Sequence, residues 1–211
     1  MEDWSIEKIT DPVFKRINGI SYRENDTIGI NDLRYLRLLH TGFDGQTHVG
    51  ELIVNRQIAE TILTIMKTLY ENRYPIEKMR LVDEYGGDDN RSMEDNNSSA
   101  FNYRMIAGTS TLSKHSLGLA IDINPRFNPY IRPGANGELI VEPTGSEAYT
   151  DRQAAFAHKI DEDDLCYRLF TRHGFIWGGS WSTVKDYQHF EISVQPDRRR
   201  TINCACTSLA D

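Results

Sequence analysis

The chain has 211 residues, of which 39% are hydrophobic and 26% charged, and its formal net charge is -7. That length supports one domain with a sizeable core and is short for two, and the composition is globular rather than disordered or fibrous. The negative balance argues against a nonspecific grip on nucleic acid, and no stretch approaches the roughly 18 to 20 apolar residues of a membrane helix; a soluble chain with no nucleic-acid partner and no transmembrane segment is expected.

Met1-Glu2-Asp3-Trp4 lacks the basic segment and apolar core of a signal peptide, which leaves the compartment open. Residues 1–30 alternate apolar and polar without a sustained period and read as an irregular arm laid over the core. Leu33 to His40 favours a strand, Gly42 to Gly45 a turn, and Thr47 to Val54 the return strand of a hairpin. Ile58, Ile62, Ile65, Met66 and Leu69 then fall on one helical face, with Asn55 as the expected N-cap. Lys78 to Glu84 reads as a strand, and residues 85–100, rich in Gly, Asp, Asn and Ser, as a long surface loop, either a lid or a disordered insertion. Leu117 to Ile123 predicts a strand, Asn124 to Gly137 a turn-rich segment, Asp161 to His173 a helix that stops at Gly174, and Tyr187 to Val194 the final strand. Strands and helices mix without regular alternation, so the expected fold class is a single α+β domain with a central antiparallel sheet and flanking helices. The arm over residues 1–30 would precede a folded domain over 31–195 and a tail over 196–211, whose run Asp197-Arg198-Arg199-Arg200 reads as solvated.

The three cysteines are not expected to bind metal or do redox chemistry. Cys166 reads as a small buried hydrophobe in its helix. Cys204 and Cys206 are separated by one residue, which is not the gap of a zinc knuckle, and a disulfide between two of the three stays open.

Chemistry concentrates in two segments. In the first, Ser113 to Ile123, the side chains of Leu117, Leu119, Ile121 and Ile123 share one strand face, and Gly118, Ala120 and Asp122 share the other. That second face leaves space in front of the sheet with one carboxylate aimed at it. His115 stands seven residues before Asp122, an odd offset that puts the two on opposite faces unless the chain bends, and Gly118 is where a bend is cheapest. The second segment runs Trp177-Gly178-Gly179-Ser180-Trp181 and then Asp186-Tyr187-Gln188-His189-Phe190-Glu191. There His189 alternates with core-packing Phe190 and Ile192. Two imidazoles and one carboxylate with a fourth corner for water make the open donor set of catalytic zinc, and a further carboxylate near that water would be the general base.

The pattern Ser-x-His-x-x-Gly-x-Ala-x-Asp-Ile, followed by Trp-Gly-Gly and Asp-x-x-His-Phe-Glu, resembles the zinc D-alanyl-D-alanine peptidase group. That group includes VanX- and VanY-type dipeptidases and carboxypeptidases, and endolysins that cut the L-alanyl-D-glutamate bond; the resemblance is strongest from Asn102 to Ile192. It implies a hedgehog-like metallopeptidase fold and makes residues 31–195 the catalytic domain. It implies one Zn2+ per chain held by His115, Asp122 and His189, with Asp186 as general base and Arg104 steadying the substrate carbonyl or oxyanion. Ser113, Trp177 and Trp181 would contact substrate, a peptidoglycan stem peptide at the bacterial cell envelope, and a monomer is expected. VanX-like enzymes carry Glu where this chain has Asp186, which leans the reading towards L-alanyl-D-glutamate cleavage. Alternatives stay open: D-alanyl-D-alanine cleavage, a non-catalytic hedgehog-like binding module, a non-haem iron site built on the same triad, Glu191 as the base, Arg104 paired with a surface carboxylate, and Trp177 and Trp181 as core residues. His40, His48, His158 and His173 read as structural.

Overall fold

The computed structural model describes residues 4–106 and 109–194; the basic run and both C-terminal cysteines lie outside them. Strand β1 (Ser5–Lys8) and helix α1 (Asp11–Ile17) open the chain. β1 pairs antiparallel with β2 (Leu33–Thr41), which forms a hairpin with β3 (Thr47–Asn55) as the alternation predicted. The N-terminal segment is therefore regular, not an irregular arm. It adds the edge strand of the first sheet, and Val13 and Ile17 of α1 bury in a satellite cluster with Tyr22, Leu33 and Phe101.

Helix α2 (Ala59–Glu71) lays Ile62, Ile65, Met66 and Leu69 against Leu36, Leu38, Leu52 and Val54 of the hairpin. It starts later than expected. Asn55 ends β3, where its side chain accepts from the Gln57 backbone at 3.0 Å and donates to the Leu117 carbonyl at 3.0 Å. The strand expected over Lys78 to Glu84 is only β4 (Lys78–Met79), because the chain turns into a 3-10 helix over Val82–Tyr85.

Residues 85–100 are not a loop. Asp88 caps helix α3 (Asp89–Glu94) by accepting from the Arg91 backbone, and β5 (Asn97–Ser98) pairs parallel with β4. Gly86, Gly87 and Asn96 take positive φ, where their residue types cost least. The Asn97 side chain, fully buried, bonds Arg80 backbone groups on both sides and the Ser92 hydroxyl. The polar residues that suggested a surface loop are caps and buried hydrogen-bonding groups.

Strand β6 (Ala120–Asp122) is shorter than Leu117 to Ile123, and the turn-rich stretch after it holds β7 (Tyr130–Pro133), paired with β8 (Leu139–Glu142). Helix α4 (Leu165–Arg172) begins at an Asp164 cap and buries Cys166 and Phe170. The chain closes through β9 (Ile176–Trp177), β10 (Lys185–Asp186) and β11 (His189–Glu191). The fold class is α+β, but the antiparallel sheet is divided in three: β1-β2-β3, β10-β7-β8 and β6-β11-β9. One core joins the hairpin, α2, α4 and β6-β11-β9. Among the described residues no helix is long and apolar enough to cross a membrane.

Candidate metal centre

The pairing of β11 with β6 sets His189 directly opposite Asp122, with Phe190 opposite Ile121 one residue on. Alternation then sends His189 and Asp122 to one face while Phe190 and Ile121, both fully buried, fill the core on the other. On the far side of β6, Ser99 and Asp122 exchange backbone hydrogen bonds of 3.1 and 2.9 Å. This brings the segment from Ser99 to Arg104 alongside the site.

His115 arrives from a 3-10 turn over Lys114–Leu117. Ser113 opens the turn, its hydroxyl accepting from the His115 backbone at 3.2 Å, and Gly118 ends it at φ 64°. This is the bend the odd offset required. The reason for glycine is double, because a Cβ at 118 would stand 2.6 Å from the Asn55 backbone nitrogen. The end of β3 packs onto Gly118, so the expected open space in front of it does not exist.

His115 Nε2 stands 3.2 Å from Asp122 Oδ2 and 3.2 Å from His189 Nδ1, and His189 Nδ1 stands 3.0 Å from Asp122 Oδ1. One ligand atom from each of the three residues lies within 4.8 Å of the others, and all three residues are buried. The outer ring nitrogens are occupied: His115 Nδ1 meets the Ala100 carbonyl, and His189 Nε2 lies 3.2 Å from Glu191 Oε2. Both partners accept, so both outer nitrogens donate. The inner nitrogens are left facing each other and a carboxylate, a donor set that suits zinc.

Burial opposes ionisation of Asp122, yet the two imidazoles beside it prevail and hold its carboxyl well below the usual carboxylate range. Burial likewise opposes charge on His189, but Asp122 and Glu191 outweigh it and lift the imidazole to about 10.

Asp186, on β10, is close enough to feel the charges of His189, Asp122 and His115. Its Oδ1 is sealed from solvent and has no hydrogen-bond partner. Burial pushes the carboxyl up to about 7, against the pull of His189 and with the repulsion of Asp122. β10 is held by its pairing with Tyr130 and Ile131, by the Trp177 indole donating to the Tyr187 carbonyl at 2.9 Å, and by Gly178, which touches Asp186 directly.

The remaining sequence candidates separate. Trp181 is half-buried and its ring lies 5.3 Å from that of His189. Trp177 packs in the main core. Arg104 places its guanidinium on Asp89 of α3, in an ion pair that leaves its Nε buried without a partner. Sequence reasoning had no access to Ala100 or Asp89, since a carbonyl acceptor and a cross-segment partner leave no pattern along the chain.

Residues 107–192, the stretch that carries all three candidate ligands and Asp186, match the model of a family described as D-alanyl-D-alanine carboxypeptidase. The site lies within the matched stretch. The likeness to the zinc D-alanyl-D-alanine peptidase group expected from the motifs holds over these residues, and it supports a carboxypeptidase-like peptidase. No curated protein and no solved structure gives a match.

Proposed function

We propose that this chain is a zinc peptidase that hydrolyses a peptide bond in peptidoglycan stem peptides at the bacterial envelope, with the metal held by His115, Asp122 and His189. The observation that carries the reading is the pair of buried imidazoles whose outer nitrogens donate to protein acceptors while their inner nitrogens converge on Asp122. Zinc bound there would polarise the scissile carbonyl and lower the pKa of a bound water to about 7.

Asp186 is the general base. A half-buried carboxylate whose Oδ1 has no hydrogen-bond partner and whose pKa is raised to about 7 is poised to take a proton from water and return it to the leaving amine. Trp181 forms a wall beside His189 for the substrate backbone. The Ser113 hydroxyl keeps His115 in its turn, a contact compatible with a further bond to substrate. Resemblance assigns Arg104 to the substrate carbonyl, whereas its ion pair with Asp89 supports an anchoring role for the segment that presents Ala100.

For the bond cleaved, Asp rather than Glu at 186 favours L-alanyl-D-glutamate endopeptidase activity in a hedgehog-like fold. The matched family description favours the second reading, D-alanyl-D-alanine carboxypeptidase. Mass spectrometry of muropeptides after digestion of purified peptidoglycan separates them. New C-terminal L-alanine with new N-terminal D-glutamate supports the first, and loss of one terminal D-alanine supports the second. Intact stem peptides from zinc-loaded protein would leave a binding module instead.

A further inference from the structure

We propose that Glu191 is a positioning residue for the metal centre: its carboxylate holds the Nε2 proton of His189, so that Nδ1 is the nitrogen presented to the metal. This inference rests on the zinc reading and gives β11 a second role at the site.

An imidazole offers two nitrogens, and only one can face the site. Which one carries the lone pair is decided by what the other is bonded to. For His115 the fixed acceptor is the Ala100 carbonyl. For His189 it is Glu191, whose Oε2 lies 3.2 Å from Nε2. Glu191 reaches it because residues two apart on β11 share a face, and because its cross-strand neighbour is Ala120, whose methyl leaves the face above it open. Glu191 is half-buried, which strengthens the contact relative to one in open water.

The same geometry separates the two carboxylates near the site. Asp186 has a buried Oδ1 with no hydrogen-bond partner, so that oxygen is not committed to a protein donor. Glu191 is committed to an imidazole edge that points away from the other two ligands. The pair for which the sequence named Asp186 as base with Glu191 as the alternative is thus divided into a base and a positioner.

The test measures zinc affinity of the full chain by competition with a chelator of known affinity, for wild type, Glu191→Ala and Glu191→Gln. Co(II) absorption spectra and turnover at saturating zinc are recorded beside it. Loss of a partner to a ligating histidine lowers metal affinity about 10- to 100-fold, which is the effect expected for Glu191→Ala. Glu191→Gln keeps an amide oxygen as a weaker acceptor and should lose less, and being nearly isosteric it carries the test if the alanine variant does not fold. Both variants should hydrolyse substrate within about tenfold of wild type once zinc is saturating, because a positioner is not consumed by the chemistry. Wild-type zinc affinity in both variants would overturn the proposal. Unchanged affinity and Co(II) spectrum with turnover lost by about 10²- to 10⁴-fold would instead make Glu191 the base. If wild type itself bound no zinc, the metal reading would fail as a whole, an outcome distinct from failure of Glu191 alone.

Discussion

Replacing Gly178 with alanine is expected to damage catalysis while leaving the metal site intact. A Cβ built at 178 would lie 2.6 Å from the Asp186 carbonyl oxygen and 2.8 Å from Asp186 Cβ. Both contacts involve atoms that no side-chain rotation can move. Ordinary contact begins at 3.4 Å, so relief requires a retreat of about 0.8 Å by Asp186, the proposed general base. Gly178 is not among the glycines at positive φ, so the effect is steric and not one of backbone strain. Overpacking of this kind costs about 1 to 3 kcal/mol of stability, and misplacement of a catalytic group by about 1 Å costs on the order of 100-fold in rate. The ligand pair His189 and Asp122 is held face to face by the β11–β6 pairing, and Gly178 enters that sheet only through the end of β9 beside β11. Zinc content by atomic emission should stay at about one per chain in Gly178→Ala, the midpoint of thermal unfolding should fall, and kcat on purified muropeptides should drop about 100-fold. A variant with wild-type kcat would refute the argument that the wall behind Asp186 sets its position.

Gly118→Ala combines a left-handed φ with a Cβ 2.6 Å from the Asn55 nitrogen, and should cost about 2 to 5 kcal/mol in denaturant unfolding together with weaker zinc binding; a loss below about 1 kcal/mol would mean that the bend tolerates a side chain. Asp186→Asn should bind zinc as wild type does and lose about 10²- to 10⁴-fold in turnover, whereas full-rate cleavage would remove Asp186 from the mechanism. The same variant has a pH signature in the metal-free protein. Folded Asp186 keeps its proton to about pH 7 and the unfolded chain releases it near 3.8, so the folded state holds more protons between those values and wild-type stability falls as pH rises across them. Asp186→Asn should therefore gain stability relative to wild type between about pH 4 and 7 and show no further gain above; urea unfolding at pH 4, 6 and 8 reads this, and a pH-independent difference would contradict it.

The parts of this fold written along the chain were legible in it. The β2–β3 hairpin shows as alternation, α2 as a one-faced row of Ile, Met and Leu, and the cluster of His115, Asp122 and His189 as residue types at motif spacing. Even the bend that brings His115 to Asp122 was required by parity, and Gly118 makes it. What was hidden is contact between segments. Residues 85–100 share a composition with surface loops because caps, left-handed positions and buried amide networks use the same residues, as Asp88, Asn96 and Asn97 do here. The β7–β8 hairpin was masked by the prolines and glycines around it. Gly118 suggested an opening, yet the end of β3 occupies that place. Asp186 and Glu191 could not be ranked by strand parity. Their difference lies in hydrogen bonding, since Asp186 Oδ1 has no partner and Glu191 Oε2 meets a ring nitrogen.

Anomalous diffraction at the zinc edge, on crystals grown from zinc-loaded protein, bears most directly on the centre itself. One peak per chain, bonded to His115 Nε2, His189 Nδ1 and an Asp122 oxygen at about 2.0 to 2.2 Å, is the predicted result. A peak elsewhere, or His115 and His189 still bonded to Asp122 with no metal between them at saturating zinc, would contradict it.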